Sequence, residues 1–305
     1  NGTPISFGFA ANNIAGVRQW LGLDGGTAGA TNASRALFNV EQVWYDPRSL
    51  APASQTFLEG DVALATLDTP AFGVPTWAVL FSPLTAETNV TVTGYGNNGT
   101  NSVPQGIDFR RRAAENMVSS LSSLNDRNQF LFGGPPGANP QSLYMVDFDS
   151  PAGISAYNPT LGRFDFGIYG GPARAREGLT SGGDSGGPLI VTDRYNIPVV
   201  AGTLSGSSRF FNAQRQSTYG THSLFQPLFL FWDVIVQNNN YIYAGAKEGD
   251  GAWEDPTHWV RLMDPAYMVE RNGQLVNDLP DTLALGVTGN TPKFGNLCFL
   301  TTCID

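Results

Sequence analysis

Histidine, cysteine and lysine are nearly missing from this sequence. Among 305 residues only His222 and His258 carry imidazoles, only Cys298 and Cys303 carry thiols, and only Lys247 and Lys293 are lysines; the other fifteen basic residues are arginine. Two cysteines cannot staple a scaffold, and a metal site built on them would need further ligands, with no histidine within thirty residues. The pair stays open between a short disulfide-closed loop and two free thiols. Charge is scarce as well, at 14% against 41% hydrophobic residues. Disorder pairs few apolar residues with high net charge, so this balance describes a folded chain. With Lys+Arg 17 against Asp+Glu 26 the net charge is -9, which disfavours a phosphate-backbone partner, so no nucleic acid is expected. No apolar run reaches the ~18 residues of a membrane span. The opening Asn1-Gly-Thr-Pro has no initiator Met and no signal peptide, as expected of a chain cut from something longer.

Turn formers are plentiful: Gly 36 and Pro 20. Short β-branched runs bounded by Gly, Pro or Asp predict strands at 62–67, 90–93, 188–192 and 199–204. Turn clusters at Gly96-Asn-Asn-Gly99 and Gly133-Gly-Pro-Pro-Gly137 separate such segments. The expected class is all-β, a sandwich or barrel. Leu224, Phe225, Leu228, Phe231, Trp232 and Ile235 predict one amphipathic helix over 223–238, and a second is expected over 116–124. After Tyr241 the periodicity fades, so residues 1–240 are expected to form the main domain and 241–305 a small extension.

Gly183-Asp184-Ser185-Gly186-Gly187-Pro188-Leu189 carries the chemistry. Its three glycines allow a tight turn with Ser185 at the apex. The N–H groups of Gly183 and Ser185 can converge on one point, as an oxyanion hole requires. Pro188-Leu-Ile-Val then leads into a buried strand.

This heptapeptide resembles the nucleophile loop of the chymotrypsin-like (trypsin-like) serine proteases. Gly60-Asp61-Val-Ala-Leu-Ala-Thr-Leu-Asp68 resembles the segment carrying the triad aspartate, which implies Asp61 as the carboxylate that orients a histidine. Val92-Thr-Gly-Tyr-Gly96 resembles the strand and turn that follow, and Gly202-Thr-Leu-Ser-Gly-Ser207 the strand lining the primary pocket, with Ser205 near the aspartate. The segment ending near Asn238 resembles the closing C-terminal helix. The likeness spans about residues 5–240. It implies two six-stranded antiparallel β-barrels, a C-terminal helix, and a serine endopeptidase acting on peptide or protein through Ser185, with no metal and no cofactor. Gly249-Asp-Gly-Ala-Trp-Glu-Asp-Pro-Thr-His-Trp259 looks like segments that follow the protease domain in secreted or autotransporter-type bacterial proteases. A secreted, periplasmic or cell-surface location follows from that likeness.

One part of the pattern is missing. The family places His before Asp before Ser, yet no histidine precedes Asp61. Without an imidazole, Ser185 has no general base at neutral pH. The histidine is expected on a segment upstream of Asn1, retained as a noncovalent fragment, with the first barrel incomplete. The alternatives are an inactive binding module, an esterase using the same serine, or a triad rebuilt with His222 or His258. Leu179 is expected at the pocket floor and carries no charge, against a Lys or Arg preference. Thr180, Ser207 and His222 are candidates for its walls, with His222 either bonding an acidic substrate group or satisfied in the core. Asp184 pairs with a new N-terminal ammonium in activated relatives, and Asn1 stands too late for that. Arg110-Arg-Arg112 reads as a solvated strand end, and Trp253 and Trp259 as packing of the extension rather than sugar stacking. Asp147, Asp149 and Asp165 make a calcium site conceivable.

Overall fold

The computed structural model describes residues 5–9, 14–25, 27–32, 36–51, 58–100, 103–133, 139–150, 169, 171–209 and 217–280. The chain is mostly β, with a curled main sheet and few helices. A first sheet holds β1 (Ser6–Gly8), β2 (Leu37–Tyr45) and β3 (Ala63–Leu67), in that order and antiparallel. Helix α1 (Ile14–Trp20) lies between β1 and β2 in the chain.

The main sheet has ten strands. It takes β4 (Ala78–Leu80) and β5 (Thr88–Gly94), and a short hairpin of β6 (Asn98–Thr100) and β7 (Val103–Gly106) follows outside it. The sheet then takes β8 (Arg112–Val118), β9 (Ser120–Ser123), β10 (Ser142–Asp147), β11 (Pro188–Val191), β12 (Val199–Ser208) and β13 (His222–Pro227). β5 shows the half-buried alternation of a strand: Thr88, Val90 and Val92 are buried and the residues between them are not. β8 passes into β9 with only Ser119 between them, and Ser119 N still donates to Met145 O on β10. The pairings therefore run from β5 through β8 and β9 to β10, β13, β12 and β11, and back to β5. Leu80, Phe81, Val118, Tyr144, Leu189, Val199, Phe225 and Trp232 belong to one buried core cluster.

Of the two expected helices, the one over 223–238 forms only from Leu228 onward, and the one over 116–124 does not form there. Residues 116–123 are strand, because the stretch through Val118 pairs along the whole of β5. The helix starts at Leu124 as α2 (Leu124–Phe132), where Ser123 and Asp126 form a reciprocal capping box, and it ends at Gly133 in the left-handed conformation. The other stripe is strand up to Pro227, paired on both sides with β10 and β12. Proline disfavours helix in the residue before it, so a 3-10 turn (Leu228–Phe231) and α3 (Trp232–Gln237) come only afterwards.

The extension is not a separate unit of packing. β14 (Tyr243–Ala246) and β15 (Trp259–Leu262) make their own hairpin, but β16 (Tyr267–Arg271), backed by β17 (Gln274–Val276), joins the main sheet in parallel with β4. Tyr267 and Val269 belong to the main core, and the Tyr267 ring packs 5.1 Å from that of Phe81. Glu270 accepts from Arg194 and from the Tyr195 hydroxyl. The boundary expected at 240 therefore cuts through one core. Tyr267→Ala should cost about 3–5 kcal/mol, read as a single shifted urea transition; a separate low-stability transition for the extension would show the core to be divided.

Candidate active site

The Gly183–Gly187 turn is fastened to β12 before it enters β11. Gly186 N donates to Leu204 O at 2.8 Å, and Leu204 N donates to Gly187 O at 2.8 Å. Gly183 has φ +97, which a side chain rarely adopts, and a Cβ there would meet Gly96 Cα at 3.0 Å. Ser185 is exposed at the apex. Among the described residues neither Gly183 N nor Ser185 N has a hydrogen-bond partner.

Asp184 points away from Ser185 and is held by main-chain donors. Its Oδ1 accepts from Gly96 N at 2.6 Å and its Oδ2 from Ser181 N at 2.8 Å. A Cβ on Gly94 would sit 2.0 Å from Asp184 Oδ1, so the strand end at β5 has to be glycine to admit the carboxylate. Two backbone N–H groups thus satisfy the carboxylate with charge-assisted hydrogen bonds.

Asp61 lies just ahead of β3 and is exposed. Ser205 is the extra residue of a bulge in β12, where the register with β13 slips between Leu204 and Gly206. A bulge re-aims the side chain it carries, and Ser205 Oγ donates to Asp61 Oδ2 at 2.5 Å. Asp61 Oδ1 has no hydrogen-bond partner among the described residues. Beside it the β2–β3 face is bare: Val43 pairs with Ala65 and Tyr45 with Ala63, and all four are exposed.

The expected pocket residues gather around Ser223. Thr180 Oγ1 and Ser223 Oγ share a hydrogen bond of 2.6 Å, Ser207 is the register partner of Ser223, and His222 adjoins it. Thr180, His222 and Ser223 are buried, and Leu179 packs partly against the core. His222 is fully buried in β13, opposite Asp147 and Ser208, whereas Ser185 is exposed. His258 lies in the extension with its ring over Gly251. Among the described residues no hydrogen bond joins His258 to the Ser185 turn.

Leu179, Thr180, Ser181 and Asp184 line one side of a cavity of about 690 Å³, with Arg112, Asp149 and Glu177 on others. Glu177 accepts from Asp149 N and Arg174 N. Asp149 has no partner for its own carboxylate among the described residues, and burial holds its pKa above the ordinary value. Arg112 forms a two-point ion pair with Asp108. Trp253 and Trp259 pack edge to face at 4.7 Å, with Trp259 Nε1 bonded to Trp253 O. Asp165, Cys298 and Cys303 lie outside the described residues, and among those described no three potential metal ligands converge.

Two residues at the site escaped sequence reasoning, Gln141 and Gln226. Gln226 Nε2 donates to Ser205 Oγ at 3.1 Å and to Leu58 O at 2.5 Å. It sits in the stretch whose Leu and Phe spacing predicts helix, and only the following Pro227 signals otherwise.

Asp184→Ala should orphan two N–H groups and cost about 1–3 kcal/mol for each, measured by urea denaturation; an unchanged midpoint would show the carboxylate to be dispensable. Asp149→Asn should match the parent at acid pH, where both side chains are neutral. Above the carboxylate range it should be the more stable of the two, because the folded parent then carries a poorly solvated charge. Urea midpoints at pH 3 and 7 test this, and equal differences at both would refute it. Compared with models of protein families and with curated proteins, the chain matches none.

Proposed function

We propose that this chain is the nucleophile-bearing part of a serine acyl hydrolase of the chymotrypsin-like kind, cleaving peptide bonds. The observation that carries the reading is the double attachment of β12: its Leu204 holds the Ser185 turn, and the next residue, Ser205, holds Asp61 from the other sheet. Residues 144 positions apart are thereby brought to one place. In this reading the closed pairing ring is the second barrel, and the β1–β3 sheet is part of the first.

The chemistry follows from the groups present. Ser185 Oγ attacks the carbonyl carbon and gives its proton to an imidazole. The tetrahedral oxyanion is held by Gly183 N and Ser185 N. As the intermediate collapses, the C–N bond breaks, the imidazolium protonates the leaving amine, and the acyl group stays on Ser185 until water repeats the steps in reverse order. Only water is needed as co-reactant.

The imidazole comes, in this proposal, from a histidine-bearing segment outside residues 1–305. The exposed Asp61, with Oδ1 open, and the bare face of Val43, Tyr45, Ala63 and Ala65 beside it support a segment docking there. Apolar sheet faces are ordinarily covered. The likeness of the tail to those of secreted bacterial proteases supports a role in the periplasm or at the cell surface.

The test is covalent labelling of the full-length gene product with a serine-directed phosphonate, followed by intact-mass and peptide analysis. The expected result is one adduct at Ser185, lost in Ser185→Ala and formed about 10⁴-fold more slowly in Asp61→Asn. Labelling with turnover of esters but not of peptides would make the protein an esterase. No adduct in the full-length product would sink the enzyme reading in favour of a binding module.

A further inference from the structure

We propose that Gln141 and Gln226 form a polarised amide relay that commits the Ser205 hydroxyl proton to Asp61, which makes both glutamines positioning residues for that carboxylate. The proposal rests on the reading of Asp61 as the carboxylate that orients the base. Gly60 N donates to Gln141 Oε1 at 2.7 Å, Gln141 Nε2 donates to Gln226 Oε1, Gln226 Nε2 donates to Ser205 Oγ at 3.1 Å, and Ser205 Oγ donates to Asp61 Oδ2 at 2.5 Å.

The direction of each step is forced by the ends of the chain. Gly60 N–H can only donate, so the atom of Gln141 facing it is the oxygen, and its NH2 faces Gln226. Leu58 O can only accept, and the same Gln226 nitrogen donates to it at 2.5 Å. Both amides are thus locked in one orientation by backbone groups of the segment that carries Asp61. A hydroxyl that already accepts from an amide N–H has its own proton left to give, and Asp61 is where it goes. Gln226, the middle link, is wholly buried, so its amide has no water to turn to. Hydrogen-bond chains of uniform polarity strengthen one another in low dielectric. The relay also clamps the Leu58–Asp61 segment to the main sheet, since Gln226 lies on β13 and Gln141 just before β10.

The relay predicts a spectroscopic signature in the protein itself, with no substrate present. The carboxylate-carbon resonance of Asp61, assigned by its loss in Asp61→Asn, is followed by NMR at neutral pH. Ser205→Ala sets the size of the shift when the hydroxyl is gone. Gln226→Met should move the resonance in the same direction and by at least half as much. Gln141→Met, at a half-buried position more tolerant of change, should move it less and in the same direction. In the full-length product, labelling of Ser185 in Gln226→Met should be slower by about tenfold to 100-fold. An Asp61 resonance unmoved in Gln141→Met and in any folded Gln226→Met protein, while Ser205→Ala moves it, overturns the relay. A resonance unmoved in Ser205→Ala does so as well. If the resonance responds as expected but wild-type Ser185 takes no label, the relay stands and the hydrolase reading falls.

Discussion

The bulge at Ser205 is the constraint from which the site is built. β12 is ten residues long and serves two sets of neighbours. Its first half pairs with β11 and with β4, and its second half with β13. Within the β13 ladder Ser205 has no cross-strand partner, and its side chain turns toward the smaller sheet. Regular pairing through Ser205 would send that hydroxyl to another direction and leave Asp61 tied to nothing on the main sheet. The same stretch of backbone offers Leu204 to the Ser185 turn. A single irregularity therefore sets how Ser185, Asp61 and the two sheets stand to one another.

Charge at the site is balanced by oriented peptide groups more than by counter-ions. Asp184 and Glu177 each accept two backbone N–H bonds. Several ion pairs, such as Arg18 with Asp24 and Arg271 with Asp278, lie on exposed surface, where each contributes little. Fixed dipoles need no reorganisation when charge develops nearby. The scarcity of lysine fits this economy: the basic groups are planar guanidinium forks that bond at two points, as Arg112 does with Asp108.

The strands and the tight turn around Ser185 were legible in the sequence because their causes are local. β-branched runs end at Gly or Pro, and three glycines within five residues leave few backbone solutions. The helix over 124–132 was missed: its Ser123-Leu-Asn-Asp126 capping box went unread, and apolar spacing drew a helix about two turns too early. The stretch 222–227 misled because a strand buried on both faces has no polar side to reveal a period of two. Bonds such as Gln226 to Ser205, or Gly96 to Asp184, join residues far apart in the chain. Nothing in the local pattern of Gln141 or Gln226 marks either one as part of a site. The extension misled for a similar reason: its weak periodicity concealed a strand whose partner stands 188 positions earlier.

That last pairing has a temporal side. β4 joins β16 in parallel, so no hairpin can bring the two together, and their meeting depends on closing a very long loop. Contacts of such separation form late and slowly. Until Tyr267 has been synthesised and delivered, β4 presents an open row of backbone donors and acceptors beside the apolar Leu80 and Phe81, the kind of edge on which chains aggregate. The final strands of the described structure thus act as a latch on a sheet otherwise ready to fold, and the interval before they arrive is when the molecule is most exposed to misassembly.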